Sequence, residues 1–468
     1  MRKWILVVAF TALAGCMLGP DYHRPSVPTP AAFRAPTPVS DQDFGSLADL
    51  KWWEIFKDEK LQDLERTALT QNFDLRDVTA RVEAARANLG IVRSNEFPSL
   101  GAGANLSTVR ISRDGSSPLP AAFVPSQNRT FGEATLNLLS FEVDIWGRLR
   151  RATEAARAQL LAADATRLGV VTTLVSDVAT AYFSLRELDS ELAISQRTLA
   201  TREASLELIK QRQAGGVATL LDLRQGEQLV YTATEVIPSI QLEIEQTENR
   251  INLLLGRSPG RVERGLELTE QAMPPEIPAG LPSALLSRRP DILAAEHNLV
   301  AANAQIGVAK AAYFPQITLS GLLGGQSTQL TNLFSGTSGV WNFTPQITQP
   351  IFTAGRLRSN VKLTEALRDS ALVEYEKAIQ TSFAEVSDAL IAHQRLRESR
   401  IQQELLVGTL QDRTRLAYVR YRGGVDTLLN ALDADRDQFQ SEITLAQIRR
   451  SELLAIVQLY KALGGGWQ

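Results

Sequence analysis

The sequence is poor in the residues from which catalytic and metal sites are usually built. Its 468 residues include one cysteine and three histidines, and its net charge is only −3. A single cysteine cannot form an intramolecular disulfide. The histidines (His23, His297 and His393) lie far apart, and we find no metal-binding spacing, phosphate loop or nucleophile elbow. These absences argue against an enzyme and predict no catalytic residue, cofactor, metal or nucleic-acid partner.

Long apolar runs are also absent beyond the N-terminus. No uninterrupted run reaches the length of a transmembrane helix, so we predict no such helix in the mature chain. The remaining way across a bilayer is a set of β-strands whose backbone groups pair in a closed barrel. The sequence therefore restricts any membrane-spanning part to strands.

The N-terminus has the three regions of a secretory signal. Two basic residues precede an apolar run at 4–13, and small residues follow it. Leu13-Ala14-Gly15-Cys16 matches a bacterial lipoprotein cleavage site, which predicts a signal peptide at 1–15 and attachment of N-acyl (palmitate) and S-diacylglycerol groups to Cys16. Met17, in place of Asp, resembles the outer-membrane class of lipoprotein sorting. An ordinary signal peptide with a chance cysteine at its end is the alternative.

Two stretches lack proline and nearly lack glycine. Residues 148–214 and 356–422 are equally long, and each contains no proline and one glycine. Apolar residues recur through the first at the 3-4 spacing of a coiled-coil seam. At 1.5 Å per residue, each stretch predicts a helix about 100 Å long. The seam residues are Leu168, Val171, Val175, Val178, Tyr182, Leu185, Leu188 and Leu192.

Two other regions change to a period of two residues, which is typical of strands. Residues 98–143 and 315–352 each predict a β-hairpin. In the first, the alternation from Phe131 to Val143, which includes Phe141, places every second residue on one side of a strand. Four strands per chain follow from the two hairpins.

The chain contains an internal tandem repeat. Gly90 recurs as Gly307, and Phe97-Pro98 as Phe314-Pro315, both at an offset of 217, whereas the motifs after the hairpin recur at an offset of 208. The nine-residue difference falls within the hairpin region. The motif pairs at the offset of 208 are Gly147-Arg148 and Gly355-Arg356, Gly215-Gly216-Val217 and Gly423-Gly424-Val425, and Leu255-Gly256 and Leu463-Gly464.

The repeat divides the chain into segments. After the signal peptide, we predict that 16–60 is a lipid-anchored, proline-rich tether that leads into the start of an equatorial region. Residues 257–284 are predicted to be an equatorial linker between the two repeats. Repeat 1 (61–256) has a helix, a hairpin, the long helix and a return helix at 217–255. Repeat 2 (285–464) has the same order, with its return helix at 425–463, and 465–468 is a tail.

Four strands are too few for a membrane barrel, because the smallest known barrels have about eight. An open edge in lipid would leave backbone groups unpaired. The strands must therefore close a barrel between chains: two copies provide eight strands, and three provide twelve. The residues alone leave both possibilities open.

These features resemble the outer-membrane factor (TolC-like) family, and within it the OprM-like lipoprotein branch of tripartite efflux systems. The resemblance implies an α+β membrane protein, in which a homotrimer forms a 12-stranded β-barrel continuous with a long periplasmic α-helical barrel. The residues that carry it span the mature chain. They are Leu13-Ala14-Gly15-Cys16, Gly19-Pro20-Asp21-Tyr22-His23-Arg24-Pro25, Trp52-Trp53, Arg288-Arg289-Pro290-Asp291-Ile292, Phe314-Pro315, Tyr421-Arg422-Gly423-Gly424-Val425 and Leu463-Gly464-Gly465-Gly466-Trp467.

The resemblance also implies a function and partners. The protein would sit in the outer membrane as a lipoprotein and passively export antibiotics, solvents, dyes or detergents. A periplasmic adaptor (membrane fusion protein) would connect it to an inner-membrane pump of the resistance-nodulation-division type. Outer-membrane lipid is the remaining partner.

The glycine pairs Gly215-Gly216 and Gly423-Gly424 mark the predicted periplasmic tips. Beyond the second pair, Leu429, Asp433 and Arg436 fall on one helix face, at positions thought to constrict the closed mouth in OprM-like proteins. Tyr421 and Arg422 resemble residues that tie neighbouring tips together. The corresponding positions of repeat 1 are Leu221, Gln225 and Gln228, so only repeat 2 has a charged pair. The alternative is a solvated ion pair without a role in gating.

Two other functions remain open. A type I protein-secretion duct belongs to the same family, and its cargo is selected by the pump. A lipid-anchored structural coiled-coil protein explains the long helices but leaves the hairpins at matching places in both repeats unexplained.

Overall fold

A computed structural model describes residues 17–30, 32–34, 55–110, 127–271 and 284–465. Cys16, the predicted signal peptide and parts of the predicted tether, linker and C-terminal tail lie outside these residues. The chain forms two compact units. Unit one comprises Met1–Pro25, Glu83–Ala162 and Ala295–Glu374, and unit two comprises Ser26–Val82, Ala163–Ala294 and Tyr375–Gln468.

The same order of elements occurs twice along the chain. The helices that precede the hairpins have 22 residues each, the long helices have 67 each, and the helices after the glycine turns have 35 each. The predicted and observed bounds of both long helices coincide. The elements are α1 (Glu59–Gln71), α2 (Phe73–Ser94), β1 (Leu100–Arg110), β2 (Asn128–Glu142), α3 (Arg148–Ala214), α4 (Leu220–Leu254), α5 (Leu285–Arg288), α6 (Pro290–Ala311), β3 (Gln316–Ser327), β4 (Gly339–Thr348), α7 (Arg356–Arg422) and α8 (Leu428–Ala462).

Unit one contains an antiparallel sheet in the order β1-β2-β3-β4. The strand pairing places one set of side chains on one face, and the large apolar members of this set are exposed. The opposite face has glycines and polar residues such as Asn105, Thr135, Asn137 and Thr344. A sheet with one apolar exposed face and one polar face matches the alternation of a transmembrane barrel. The exposed apolar residues of the first face are Leu100, Leu106, Leu136, Leu323, Trp341, Phe343 and Ile347.

A β-bulge changes the face of one strand end. Leu138 pairs with Gly321, but Phe141 pairs with Leu319, so β2 has one extra residue between these two pairs. One extra residue moves every later side chain to the other face. The prediction that Phe131 and Phe141 lie on one side of β2 is therefore wrong, because an uninterrupted period of two cannot include a bulge.

The N-terminal segment after Cys16 is attached to unit one. Arg151, whose side chain is only 3% exposed, donates to Leu18 O at 3.1 Å and to Asp21 at 2.7 Å. Gly19 has φ +96° and lies so close to Gly307 that a Cβ on Gly19 would be 2.5 Å from the Gly307 Cα. This segment, at the start of the predicted tether, is therefore packed against the rest of unit one.

Unit two is built from long helices around buried apolar residues. On the predicted α3 seam, the residues from Val175 to Leu188 are buried, whereas Leu168, Val171 and Leu192 are half-buried. Within the described residues, α3 also contains a window long and apolar enough to cross a membrane, and 56% of that window is buried. This window was not predicted, because its polar residues interrupt any continuous apolar run; packing of α3 in the core accounts for its composition.

A buried carboxylate connects three parts of unit two. Asp58 caps the N-terminus of α1 through Lys60 N at 3.0 Å. It also accepts hydrogen bonds from the Tyr182 hydroxyl at 2.7 Å, from Leu266 N at 3.0 Å and from Gln271 at 2.9 Å. With this many donors, the buried charge is compensated. The hydrogen bonds of Asp58 attach the start of α1 and the segment after α4 to the middle of α3.

Candidate functional site

Two glycine turns reverse the chain in unit two, one between α3 and α4 and one between α7 and α8. Gly216 and Gly424 have φ values of +74° and +73°, in the left-handed region that favours glycine. No atom lies within 4 Å of a Cβ added at either glycine. The glycines are therefore needed for backbone conformation and not for space.

The helix after the first turn starts with a capping box. The Thr219 hydroxyl accepts a hydrogen bond from Asp222 N at 3.1 Å, and the Asp222 carboxylate accepts one from Thr219 N at 2.8 Å. Each side chain thus satisfies a backbone donor that the helix cannot satisfy itself. The sequence Thr219-Leu220-Leu221-Asp222 has the spacing of a capping box, so this pattern alone predicts a helix start here.

The second turn satisfies the same donor in a different way. The Thr427 side chain makes no capping bond, and the carboxylate of Asp426 accepts from Thr427 N at 2.8 Å. Asp426 also accepts from Asn430 at 2.7 Å and from Arg420 at 3.0 Å. These hydrogen bonds lower the pKa of Asp426, with Asn430 the largest cause and Arg420 the next. The acidic residue is thus at the third position of the helix in the first turn (Asp222), but directly before the N-cap residue in the second turn (Asp426).

The three predicted gate residues lie on the exposed face of α8. Leu429 is 53% exposed. The Arg436 guanidinium lies 3.5 Å from Asp433 Oδ1 and 3.4 Å from Asp437 Oδ1, so its position is shared between two carboxylates. Asp437 in turn accepts from Arg413 on α7 at 2.8 Å, and this hydrogen bond lowers the pKa of Asp437. Both contacts of Arg436 are long, which is typical of a weak surface pair.

The opposite face of α8 packs into the helical core. Leu428, Ala431 and Leu432 form a cluster with Ile209 of α3 and with Tyr421. Burial of this face determines the rotation of α8 about its axis. Leu429 and Arg436 are therefore exposed and Asp433 is half-buried, because their neighbours on the other side are buried.

Tyr421 connects the two turns, and Arg422 lies apart from this contact. Tyr421 is buried, and the Arg212 guanidinium lies 4.7 Å from the centre of its ring. Arg212 also donates to Tyr421 O at 3.3 Å. Arg422 is exposed. The structure thus brings Tyr421 to the other tip of the same chain, and it leaves Arg422 on the surface.

A buried ion pair behind the gate face was not predicted. Arg202 of α3 donates to Asp435 of α8 at 2.7 Å, and both side chains are less than 9% exposed. Arg202 also donates to Leu229 O at 3.2 Å and lies 5.2 Å from the Phe439 ring centre. Burial raises the pKa of Asp435, and the neighbouring Arg202 opposes that rise. The two residues belong to different repeats and lie far apart in the chain, so no local spacing could have indicated the pair.

Arg202 and Asp435 are the last members of a polar ladder between α3 and α8. The other members make the same kind of contact across the two antiparallel helices, and most of them are buried or half-buried. The ladder holds α8 against α3 at a defined register. Its other pairs are Glu187 with Arg450 at 3.0 Å, Glu191 with Gln447 at 2.8 Å, and Arg197 with Glu442.

A family model matches both halves of the chain. The model describes the outer membrane efflux protein family and matches residues 64–257 and 281–465. These two ranges correspond to the two repeats. Together they cover more than half of the chain.

Curated relatives match over the whole length. The chain is 40% identical to the toluene efflux pump outer membrane protein TtgF of Pseudomonas putida, covering 100% of this chain and 98% of that protein. It is 38% identical to the outer membrane protein OprJ of Pseudomonas aeruginosa, covering 99% of this chain and 95% of that protein.

Solved structures match over the whole length as well. The open state of the Neisseria gonorrhoeae MtrE outer membrane channel has 33% identity and a TM-score of 0.85, and the match covers 97% of this chain and 99% of that one. The outer-membrane channel OprN has 30% identity and a TM-score of 0.88, with coverage of 97% and 100%.

Proposed function

This chain belongs to the outer membrane efflux protein family, and we propose from that premise that three copies form one exit duct. The chain is the outer-membrane channel component of a tripartite efflux pump and is located in the outer membrane. The single observation that carries the function is the family match across both repeats, together with full-length relatives named as efflux pump proteins. The proposed duct is passive and requires no catalytic site, cofactor or nucleic-acid partner.

The four-stranded sheet supports assembly into a barrel. Its apolar face suits lipid and its polar face suits an aqueous lumen. Its two edge strands would each leave a row of unpaired backbone groups, which a bilayer does not tolerate. Three copies close a 12-stranded barrel, continuous with a helical barrel that the long helices form in the periplasm.

The matching lengths of the elements support an origin by tandem duplication. A trimer of such chains is then a ring of six similar repeats. Repeats 1 and 2 alternate around that ring, so each long helix has neighbours from its own chain and from the next copy. The segment boundaries at 61–256 and 285–464 delimit the two repeats.

Partners follow from the position in the pump. A periplasmic adaptor contacts the helical tips at the two glycine turns, and an inner-membrane pump of the resistance-nodulation-division type supplies the energy. Acyl chains on Cys16 anchor the N-terminus in the outer membrane, because two or more chains give stable anchoring where one does not. Apolar solvents and antibiotics are the proposed cargo, since relatives are named for toluene and antibiotic efflux.

The exposed face of α8 is the proposed gate. In a threefold ring, three Asp433 carboxylates and their Arg436 partners would surround the axis, with a layer of Leu429 beside them. Tyr421 and Arg422 support the closed tips, Tyr421 through its contact with Arg212. The weak contacts of Arg436 within one chain support a role between chains, where the surface pair could gain a second partner.

Planar bilayers test the channel and the gate together. We expect purified protein to form small, gated conductances, and Asp433→Ala with Arg436→Ala to increase them. The matched control is Gln225→Ala with Gln228→Ala, at the same positions of repeat 1, which should leave conductance unchanged. An unchanged conductance of the Asp433 and Arg436 variant would exclude this gate, and a protein without any conductance would exclude the duct.

A further inference from the structure

Both outer strands of the sheet in unit one expose a free edge. The sheet order is β1-β2-β3-β4, so β1 and β4 each have one hydrogen-bonded neighbour among the described residues. Most residues of these two strands are exposed, whereas most of those in β2 and β3 are half-buried. Long exposed edges with apolar side chains are a template for pairing with another chain.

We propose that β4 of one copy pairs antiparallel with β1 of a second copy in one defined register. In this register Ile347 lies opposite Ala104, Thr344 opposite Ser107, and Trp341 opposite Arg110 of the second copy. The proposal rests on the proposed function, because it assumes that copies of this chain share one barrel. It adds the contact surface and the alignment of its residues.

The template for this register is the pairing of β2 with β3. These strands join the hairpin of repeat 1 to the hairpin of repeat 2 inside one chain. In a ring of alternating repeats, the hairpin of repeat 2 meets the hairpin of repeat 1 of the next copy in the same way. In this contact, β4 of one copy takes the place of β2, and β1 of the next copy takes the place of β3.

Near the helices, the motif offsets convert one pairing into the other. Val143 donates to Ile317 O at 2.8 Å. The offset of 208 converts Val143 to Ile351, and the offset of 217 converts Ile317 to Leu100. The Ile351 N–H is therefore expected to donate to Leu100 O of the second copy. Ile351 and Leu100 are now 97% and 66% exposed, as expected of residues without that partner.

On the other side of the β2 bulge, the correspondence between residues of β2 and residues of β4 shifts by one residue. Leu100 pairs with Leu138 in the first hairpin, and its equivalent Ile317 pairs with Ile347 in the second. The pairing of β3 with β4 has no register shift, so β4 lacks the extra residue of β2. The observed pair of Leu138 with Gly321 then converts to Ile347 with Ala104, which belongs to the same register as Ile351 with Leu100.

Side-chain faces provide a check on this register. Trp341, Phe343 and Ile347 lie on the apolar face of β4, and Leu100 and Leu106 lie on the apolar face of β1. The proposed register keeps both apolar sets on one side. A slip by one residue would turn one set into the lumen, since side chains alternate along a strand. Slips by two residues keep the faces, and the internal template excludes them.

Backbone direction agrees with the proposal. Leu139 donates to Ser99 O at 3.0 Å, so this carbonyl points toward β2. Because successive carbonyls of a strand alternate in direction, Leu100 O points to the free edge. By the same alternation from Ile317 O, which points to β2, Ile347 of β4 points to its own free edge. The backbone groups that would pair in the proposed register are therefore directed toward the free edge of each strand.

Disulfide cross-linking tests the register. Residues opposite each other in an antiparallel pair have Cα atoms about 4.5–5.5 Å apart, within the range of a disulfide. We expect the full-length variant Thr344→Cys with Ser107→Cys, purified in detergent and oxidised, to run as three linked copies on a denaturing gel. Pairing Thr344→Cys with Asn105→Cys or with Val109→Cys tests slips of two residues, and each should link at least about tenfold less, because diagonal neighbours are about 7–8 Å apart.

Controls separate the register from the trimer. The single variants Thr344→Cys and Ser107→Cys account for Cys16, and reductant should restore single chains on the denaturing gel. The mass of the reduced double variant in detergent reports assembly independently. Three copies by mass with linking through Asn105 or Val109, or with no linking, would overturn the register. A mass of two copies together with linking through Ser107 would uphold the register and overturn the trimer, and a monomer by mass would overturn the proposed function.

Discussion

Repeat 1 and repeat 2 share a backbone plan but not an environment. Their long helices both have 67 residues, yet the middle of α3 is buried, whereas α7 exposes large apolar residues along much of its length. The α3 residues of the polar ladder are not repeated on α7, where the matching positions are Arg395, Ser399, Leu405 and Leu410. The two long helices therefore have the same length but differ in the neighbours they pack against. The exposed apolar residues of α7 are Leu363, Leu367, Val373, Ile401, Leu405, Leu406, Leu416 and Val419.

Breaking the ladder at its buried end should have the largest effect. Arg202→Ala leaves the Asp435 carboxylate buried without its partner, which costs about 3–5 kcal/mol of unfolding free energy. The matching carboxylate of repeat 1, Glu227, makes a surface pair with Arg224. Arg224→Ala should therefore cost less than about 1 kcal/mol. Urea unfolding in detergent, followed by helical circular dichroism, measures both.

A double variant tests the cause of the Arg202 effect. Arg202→Ala with Asp435→Ala removes the uncompensated charge and should recover part of the loss. Equal losses from Arg202→Ala and Arg224→Ala would show that the repeats do not differ here.

The pH dependence of the ladder should be the next largest effect. Burial is the main cause that raises the pKa of Glu187 to about 7, with Glu191 adding to the rise and Arg450 opposing it. The folded state then binds more protons than the unfolded state between pH 4.5 and 7, so stability should fall as pH rises through this window, by up to about 1.4 kcal/mol per pH unit. Below pH 4.5 the contribution is fully present.

Variants at matching positions isolate this titration. Glu187→Gln should flatten the dependence, as measured by thermal midpoints across the same pH window and just above it. The counterpart Arg395 is exposed beside Glu398, so Arg395→Gln should leave the dependence unchanged. A dependence that persists in Glu187→Gln would assign it to another group.

The glycine turns should behave alike in the two repeats. Gly216→Ala and Gly424→Ala each place a Cβ in a left-handed conformation, at about 1–2 kcal/mol. Gly215→Ala and Gly423→Ala are the matched controls, because neither position has a positive φ. Hydrogen exchange of amides at the turns reports the local loss. A larger effect in one repeat would contradict a shared turn geometry.

The helix caps should differ by the smallest amount. Thr219→Ala removes one half of the capping box and should cost about 1 kcal/mol. Thr427→Ala should cost only a few tenths, because the carboxylate of Asp426 already satisfies the Thr427 N–H. Limited proteolysis at the two turns compares them. Equal sensitivity of both variants to proteolysis would mean that the two caps contribute equally to stability.

Local pattern was enough to predict much of the helical part. A long stretch without proline and nearly without glycine has no point at which a helix must stop, so the bounds at 148–214 and 356–422 coincide with the structure. The helix start after Thr219 is also a local feature, since a capping box involves residues only three apart in the sequence.

The rest depended on contacts that no local pattern encodes. The bulge in β2 reverses the face of Phe141, because one extra residue in a strand leaves no mark on composition. Arg202 and Asp435 meet only when α3 and α8 pack together. The gate residues Leu429, Asp433 and Arg436 were chosen from their spacing and a family resemblance, and their role stays a prediction.

By itself, the sequence determined the kinds and lengths of the helices, the twofold occurrence of the same order of elements and the position of both glycine turns, since these follow from residue spacing and backbone preference. Only the tertiary structure decided which copy of each element is buried, which charge is paired and which face of the sheet is apolar along its whole length. Those properties depend on residues far apart in the chain. Burial makes an unpaired charge or a shifted strand costly only after distant segments have come together.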